Sequence, residues 1–362
     1  MAPLRDRAMK GISARKRGWY GLATMASFFY EGAVRLRNSG YDRGISKIER
    51  LSCPVISVGN ITAGGTGKTP MVITLAKGLS EKGYRPAVLS RGYGGRNSKG
   101  TTVVSDGDRI FAGPEEAGDE PVLIAESLEG VPVITGKSRF RAGRLAIGRF
   151  GADLLILDDA FQHRSLHRDV DIVLVNETAP FGNGLMLPRG ELREPLRALT
   201  RADIIVMTDA GEADGSQRTE AKIEKKCPAV PLFRGNRRPL NVIDGGKGKV
   251  HSLSFLQGKR ILAFAGIACP KQFRSTVEII CGSSVHFLSF PDHYRYGEDD
   301  VKKILEAAAA ASVELIVTTE KDGVRLKRFP RFYAQICLLR IEMDMGDMLD
   351  EFIETVSYKW NQ

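Results

Sequence analysis

The chain has 362 residues, room for two domains at roughly 150 residues each. With 43% hydrophobic and 27% charged residues it has the composition of a folded globular protein, which excludes disorder, collagen and coiled coil as the whole architecture. The formal net charge is +10, but +7 of it falls in residues 1–52, where eleven Lys and Arg stand against four acids; a protein that coats nucleic acid would spread its charge more widely, so no nucleic-acid partner is expected.

The basic front segment, 1–52, contains the uncharged run Gly18–Tyr30, shorter than the ~20 apolar residues a spanning helix needs. No small-x-small cleavage site follows it, so a signal peptide is not expected either. Trp19, Leu22, Ala23, Ala26, Phe29, Tyr30, Ala33 and Leu36 recur at i, i+3, i+4, i+7 spacing, the signature of an amphipathic helix. Thr24, Ser27, Glu31 and Arg35 fall on the opposite side, and Phe28 breaks the pattern. Arg15–Arg17 before the helix and Arg35 and Arg37 at its end suit a helix lying on an anionic membrane surface; an ordinary helix packed on its own domain is the alternative. Five cysteines (Cys53, Cys227, Cys269, Cys281, Cys337) without a C-x-x-C pair argue for reduced thiols in a cytosolic protein rather than a disulfide framework or zinc site.

From residue 53 short apolar runs alternate with helical stretches. Strands are expected at 54–58, 87–89, 131–134, 154–157, 171–175 and 203–207, which predicts a mostly parallel α/β sheet with helices on both faces over residues 53–245. A polar, glycine-containing stretch from Asp209 to Gly258 interrupts the alternation and marks a boundary near 240–255. A second, smaller α/β domain, 246–362, follows, with strands at 261–265, 285–290, 315–318 and 336–341 and a helix over 299–311.

The sharpest local signal lies between the first strand and the helical run 71–79: Thr62-Ala63-Gly64-Gly65-Thr66-Gly67-Lys68-Thr69. Strand, glycine-rich loop, Lys-Thr and helix form the context of a P-loop. Its backbone N–H groups and helix N-terminus hold phosphates, Lys68 reaches the β/γ-phosphates of ATP, and the Thr69 hydroxyl ligates Mg²⁺. Thr62 stands where the first glycine of G-x-x-x-x-G-K-[ST] is usual, and Gly64 and Gly65 supply the flexibility. The run also resembles the deviant loop of membrane-partitioning ATPases, except that Ala63 stands in place of their lysine. Leu154–Leu157 followed by Asp158-Asp159 has the form of a Walker-B strand end; either aspartate could serve Mg²⁺.

Further motifs follow in order: Ser90-Arg91-Gly92-Tyr93-Gly94, Gly118-Asp119-Glu120-Pro121, Asp158–His163, Gly182–Gly190 with Leu192-Arg193-Glu194-Pro195, Phe290-Pro291-Asp292-His293 and Thr318–Asp322. Over about residues 19–345 this series resembles the tetraacyldisaccharide 4'-kinase family. The resemblance implies a P-loop kinase that uses ATP and Mg²⁺ to phosphorylate the 4'-hydroxyl of tetraacyldisaccharide 1-phosphate in lipid A biosynthesis, at the cytoplasmic face of the inner membrane, with no obligate protein partner. It further implies that Asp119 is the base and that His293, from the second domain, supports it. The chemistry agrees, since a sugar hydroxyl is a poor nucleophile until a positioned group accepts its proton. Chain departures include Ala160 after Asp159, Cys269 where Asn is usual and Gly323 where Ala is usual.

Around this core, Arg189 and Arg193 flank a Pro–Gly turn, where a guanidinium suits the substrate 1-phosphate or the γ-phosphate as well as a structural ion pair. Arg91 and Glu120 are further substrate candidates, and His163 a nucleotide or metal candidate. Tyr93 suits adenine stacking or packing equally, and Lys321 fits a hinge ion pair better than a site. Two other functions compete with lipid phosphorylation: a membrane-recruited P-loop ATPase switch without a small-molecule acceptor, and a soluble metabolite kinase. Ala63 and the acid–histidine candidates disfavour the first; the amphipathic face disfavours the second.

Overall fold

The structure, a computed structural model, describes residues 4–96, 100–209 and 213–361. Side chains before Gly21 lie outside the described residues, and with them the expected roles of Trp19 and of the basic residues from Arg5 to Arg17.

The chain opens with helix α1 (Leu4–Asp42). The first lobe then builds β1 (Val55–Asn60), α2 (Lys68–Glu81), β2 (Pro86–Ser90), β3 (Thr101–Ser105), α3 (Pro114–Ala117), α4 (Asp119–Ser127), β4 (Val133–Gly136), α5 (Arg139–Phe150), β5 (Leu154–Asp158), β6 (Val170–Asn176), β7 (Ile204–Thr208) and α6 (Ala213–Lys226). After β8 (Leu232–Asp244) and the short β9 (Val250–His251), the second lobe contains β10 (Ile261–Ala265), α7 (Pro270–Cys281), β11 (His286–Ser289), α8 (Glu298–Ala310), β12 (Leu315–Thr319), α9 (Glu320–Leu326), α10 (Pro330–Tyr333) and β13 (Ile336–Asp344). Helix α11 (Leu349–Trp360) closes the chain.

One continuous sheet runs in the order β11-β10-β12-β13-β8-β7-β6-β1-β5-β2-β4-β3, with β9 paired to β8. β1 lies between β5 and β6, parallel to both. Every residue of β1, β2 and β5 is buried, as expected of parallel strands covered on both faces. The P-loop and the end of β5 therefore emerge side by side at the carboxyl edge of the sheet, where ligands of open α/β sheets bind.

The expected strands are all present. The polar stretch 209–258, expected to interrupt the pattern, instead holds α6 and the thirteen-residue β8. β8 joins the lobes without a break: Leu232–Gly235 run parallel to β7, and Asn236–Asp244 run antiparallel to β13. The pairing partner thus changes at 235/236, upstream of the boundary expected near 240–255. β8 escaped the hydrophobic pattern because only three of its residues are buried. The chain also returns at its end, where Phe352, Ile353 and Val356 of α11 enter the first-lobe core beside Met71, Val72, Leu75 and Leu79 of α2.

Helix α1 packs by the side on which the sequence placed Ser27. Ser27, Val34 and Asn38 are buried and Tyr30 is half-buried. The Ser27 hydroxyl donates to Met186 O at 2.9 Å, Tyr30 Oη donates to Arg193 O at 3.3 Å, and Asn38 Nδ2 donates to Glu194 Oε2 at 2.8 Å. The exposed stripe consists of Leu22, Met25, Phe28, Phe29 and Leu36, with Phe29 and Leu36 more than three-quarters accessible. Tyr30 thus leaves the expected apolar face and Phe28 joins it, because the polar groups that meet the body are the ones that need partners when buried. Among the described residues no helix is long and apolar enough to cross a membrane.

Candidate active site

The P-loop wraps the carboxyl end of β1. Gly67, immediately before α2, has φ +85°, a left-handed conformation that favours glycine, and it sits against the end of the Met343 side chain of β13. Asn60 Nδ2 donates to Thr66 Oγ1 at 2.9 Å, and Thr208 Oγ1 at the end of β7 donates to Thr66 O at 3.2 Å. On the other flank Ala63 N donates to Glu191 O at 2.6 Å, and Thr62 bridges to Leu192. The loop is thus braced from β1, β7 and the 191–194 segment. Lys68 Nζ lies 3.4 Å from Asn60 Oδ1 and 3.6 Å from Asp159 Oδ1.

The two aspartates that end β5 have different surroundings. Asp159, at φ +48°, receives Arg193 Nη1 at 2.9 Å on both carboxylate oxygens. Burial alone would raise its carboxyl, but Lys68 and Arg193 hold it below the ordinary range. Asp158 is buried, accepts the Ser90 hydroxyl at 3.0 Å and has no ion pair within 4 Å among the described residues. Burial first, then the charges of Glu120 and Asp159, push its carboxyl well up.

The acid–histidine pair forms across the lobes. Gly118, at φ +89°, turns the chain into α4; a Cβ there would strike Tyr93 O at 2.5 Å, so glycine is required to present Asp119 as the first residue of that helix. His293 comes from the loop after β11, with φ +55°, an uncommon conformation for a residue with a Cβ. Its Nδ1 lies 3.2 Å from Asp119 Oδ2. Arg325 Nε reaches the same oxygen at 2.6 Å. Burial would raise the Asp119 carboxyl, but the His293 hydrogen bond and the Arg325 guanidinium outweigh it and hold the group ionised.

A cavity of about 1190 Å³ between the lobes collects Gly64–Thr69, Arg91, Glu120, Asp158, Asp159, Arg193 and His293 on its walls. Asp119 stands directly behind its His293 and Glu120 walls. Thr62, Ala63 and Arg189 do not line the cavity; the Arg189 amide instead meets the Ser27 hydroxyl on α1 at 3.0 Å. Tyr93 lines the wall edge-on to His293, with ring centroids 6.1 Å apart.

The chain resembles known proteins along most of its length. A model of the tetraacyldisaccharide-1-P 4'-kinase family matches residues 20–358. The tetraacyldisaccharide 4'-kinase of Syntrophus aciditrophicus is 51% identical over 330 residues, spanning 89% of this chain and 88% of that protein. That of Geobacter metallireducens is 43% identical and covers 90% and 94%. The crystal structure of LpxK from Aquifex aeolicus, in complex with ATP, superposes with a TM-score of 0.73 at 33% identity over 92% of this chain and 97% of that one. The chain belongs to the tetraacyldisaccharide-1-P 4'-kinase family.

Two features of this 4'-kinase, Arg325 and Arg139, went unmarked in its sequence. Arg325 sits six residues past the T-E-K-D start, with no motif of its own. Arg139, at the start of α5, is buried and donates to Gly136 O at 2.8 Å and Asp158 O at 3.3 Å. Burial pulls its guanidinium down to about 10. Lys321, expected to form a hinge ion pair, bridges the lobes to Glu120 at 3.0 Å and its ammonium also reaches His293.

His163 lines the cavity beside the Walker-B strand, with Nε2 3.3 Å from Ser165 Oγ. Burial and the charges of Arg139 and Arg168 lower its imidazole from 6.5 to about 4. The folded protein therefore binds fewer protons than the unfolded chain between those values. The stability this group contributes is full above about pH 6.5 and is lost as pH falls toward 4. Thermal denaturation of His163→Gln across that interval is expected to fall less steeply than that of wild type; parallel curves would rule this out.

Proposed function

We propose that this 4'-kinase transfers the γ-phosphate of ATP to the 4'-hydroxyl of tetraacyldisaccharide 1-phosphate at a membrane surface. The observation that carries the proposal is the convergence on one cavity of the phosphate loop, the paired aspartates and His293, which is backed by Asp119 from the other lobe. In it, the P-loop amides and Lys68 hold the triphosphate, while Arg193, seated on Asp159, stands beside the transferring group. Asp119, kept ionised, accepts the hydroxyl proton as the oxygen attacks. A pure ATPase switch needs no such acceptor.

The residues present fit a divalent cation. Asp158 is a buried acid without an ion pair among the described residues, and the Thr69 hydroxyl is the usual P-loop ligand. Thr69 and Asp158 would hold Mg²⁺, with Asp159 committed to Lys68 and Arg193. The ion would neutralise charge on the β- and γ-phosphates. Incubation with [γ-³²P]ATP, Mg²⁺ and tetraacyldisaccharide 1-phosphate in detergent micelles tests the function; label absent from the lipid fraction would refute it.

The exposed stripe of α1 supports docking to an anionic bilayer, at the cytoplasmic face of the inner membrane as the family implies. Contiguous exposed apolar groups rimmed by basic residues are what an interfacial helix presents. Phe28→Ser, Phe29→Ser and Leu36→Ser combined remove apolar burial worth roughly 1.5–3 kcal/mol per side chain. Sedimentation with anionic vesicles is expected to weaken at least about tenfold, with ATP binding retained. Because Ser27, Tyr30 and Asn38 face inward, the triple variant leaves the helix seated; equal loss of ATP binding would mean that the stripe serves the fold.

A further inference from the structure

The Asp119–His293 couple is surrounded by more charge than a two-residue relay needs. Helix α9 carries Lys321 and Arg325 four residues apart, on one face, and turns that face to α4. Thr319 caps α9, its hydroxyl accepting from Asp322 N at 3.0 Å. Arg325 is buried: Nε meets Asp119 Oδ2 at 2.6 Å, and Nη1 meets Gly266 O and Asp322 Oδ1, each at 3.0 Å. Asp322 is itself held by Tyr296 Oη at 2.9 Å and Gly266 N at 3.1 Å, so the guanidinium rests on a fixed base. Lys321 Nζ lies 3.0 Å from Glu120 Oε1 and 3.2 Å from His293 Nε2.

Donor and acceptor chemistry then fixes the imidazole. An ionised carboxylate only accepts, so His293 Nδ1 must carry the proton it shares with Asp119. An ammonium only donates, so His293 Nε2 must present its lone pair to Lys321. The nearest other charge, Asp292 Oδ2, is 4.0 Å from Nε2, too far for a hydrogen bond. Arg325 and His293 both occupy Oδ2 of Asp119, and among the described residues Oδ1 has no partner.

We propose that Lys321 and Arg325 are positioning residues of the transfer reaction: Lys321 holds His293 as the neutral Nδ1–H tautomer, and Arg325 clamps Asp119 by Oδ2, leaving Oδ1 for the acceptor hydroxyl. The proposal rests on Asp119 being the base. Its consequence is that a competent base exists only when α9 is seated on α4, since His293, Lys321 and Arg325 all come from the second lobe. A neutral imidazole leaves the couple with one negative charge, enough to take the hydroxyl proton; an imidazolium would offset that charge and make Asp119 a weaker base.

Two measurements test the proposal, and one does not depend on turnover. Selective ¹⁵N labelling of the five histidine rings reads the tautomer directly. The His293 signals, assigned by loss in His293→Gln, are expected to be those of the Nδ1–H form in wild type and to shift toward a tautomer mixture in Lys321→Met. An unchanged pattern in that variant, or an Nε2–H form in wild type, overturns the tautomer half. In the kinetic arm, Arg325→Met removes the charge that offsets Asp119 burial. The acid limb of kcat is expected to move to higher pH, with kcat down at least about tenfold at pH 6 and less at pH 8. Arg325→Lys, which keeps the charge, is expected to keep the limb in place. A merely structural Arg325 would lower kcat equally at all pH values, with a lower Tm in both variants; that outcome overturns the clamp. Absence of lipid phosphorylation in wild type would refute the function instead, with the tautomer result still standing on its own.

Discussion

Asp119→Asn is expected to lower kcat for lipid phosphorylation by about 10²–10⁴-fold, the range that a positioned proton acceptor contributes. The amide keeps the shape of the carboxylate but cannot accept the hydroxyl proton. ATP affinity should change little, because Asp119 stands on α4, outside the phosphate loop and behind the cavity wall. A secondary loss of stability is expected, since Arg325 is buried and, among the described residues, its charge would keep Asp322 as its one counter-ion. Single-turnover transfer, ATP binding and thermal denaturation measured on the same preparation separate these effects. A variant within tenfold of wild-type kcat would remove Asp119 from the chemistry.

Lys68→Met acts at the other end of the cavity. The lysine contributes a positive charge that strengthens its hold on the phosphates as charge shifts in transfer, so kcat is expected to fall about 10²–10³-fold. The apparent KM for ATP should rise as well. Asp159 would lose one of its two cations and keep Arg193 at 2.9 Å, so the site should remain assembled and the protein folded. Normal turnover with weakened ATP binding alone would mean that the lysine binds phosphate without favouring transfer.

The sequence disclosed what depends on local pattern. The phosphate loop, the strand that ends in Asp158 and Asp159 and the buried parallel strands all leave contiguous signatures, because a parallel strand covered on both faces has to be apolar throughout. β8 left none: it is half-buried, carries Arg234, Arg237 and Arg238, and takes its order from partners on each side, β7 and then β13. Arg325 was equally silent, since its meaning lies in an acid 206 positions away. The orientation of α1 fell between these extremes. Periodicity located an apolar stripe, but which side met the body depended on whether Ser27 and Asn38 would find partners in the 186–194 segment.

That segment carries a consequence for where the chemistry takes place. Arg193 grips Asp159 beside the phosphate loop, and its neighbour Glu194, fully buried, is gripped by Asn38 of α1 and by Arg201. One peptide unit therefore ties the helix proposed to lie on the bilayer to the carboxylates that face ATP. On the proposed docking it would act as a ruler, holding the reacting phosphate at a fixed height above the lipid head groups. A glycolipid anchored by its acyl chains presents its distal hydroxyl at a fixed height too. With α1 so docked, the acceptor hydroxyl would be selected by its reach above the bilayer rather than by extraction of the lipid.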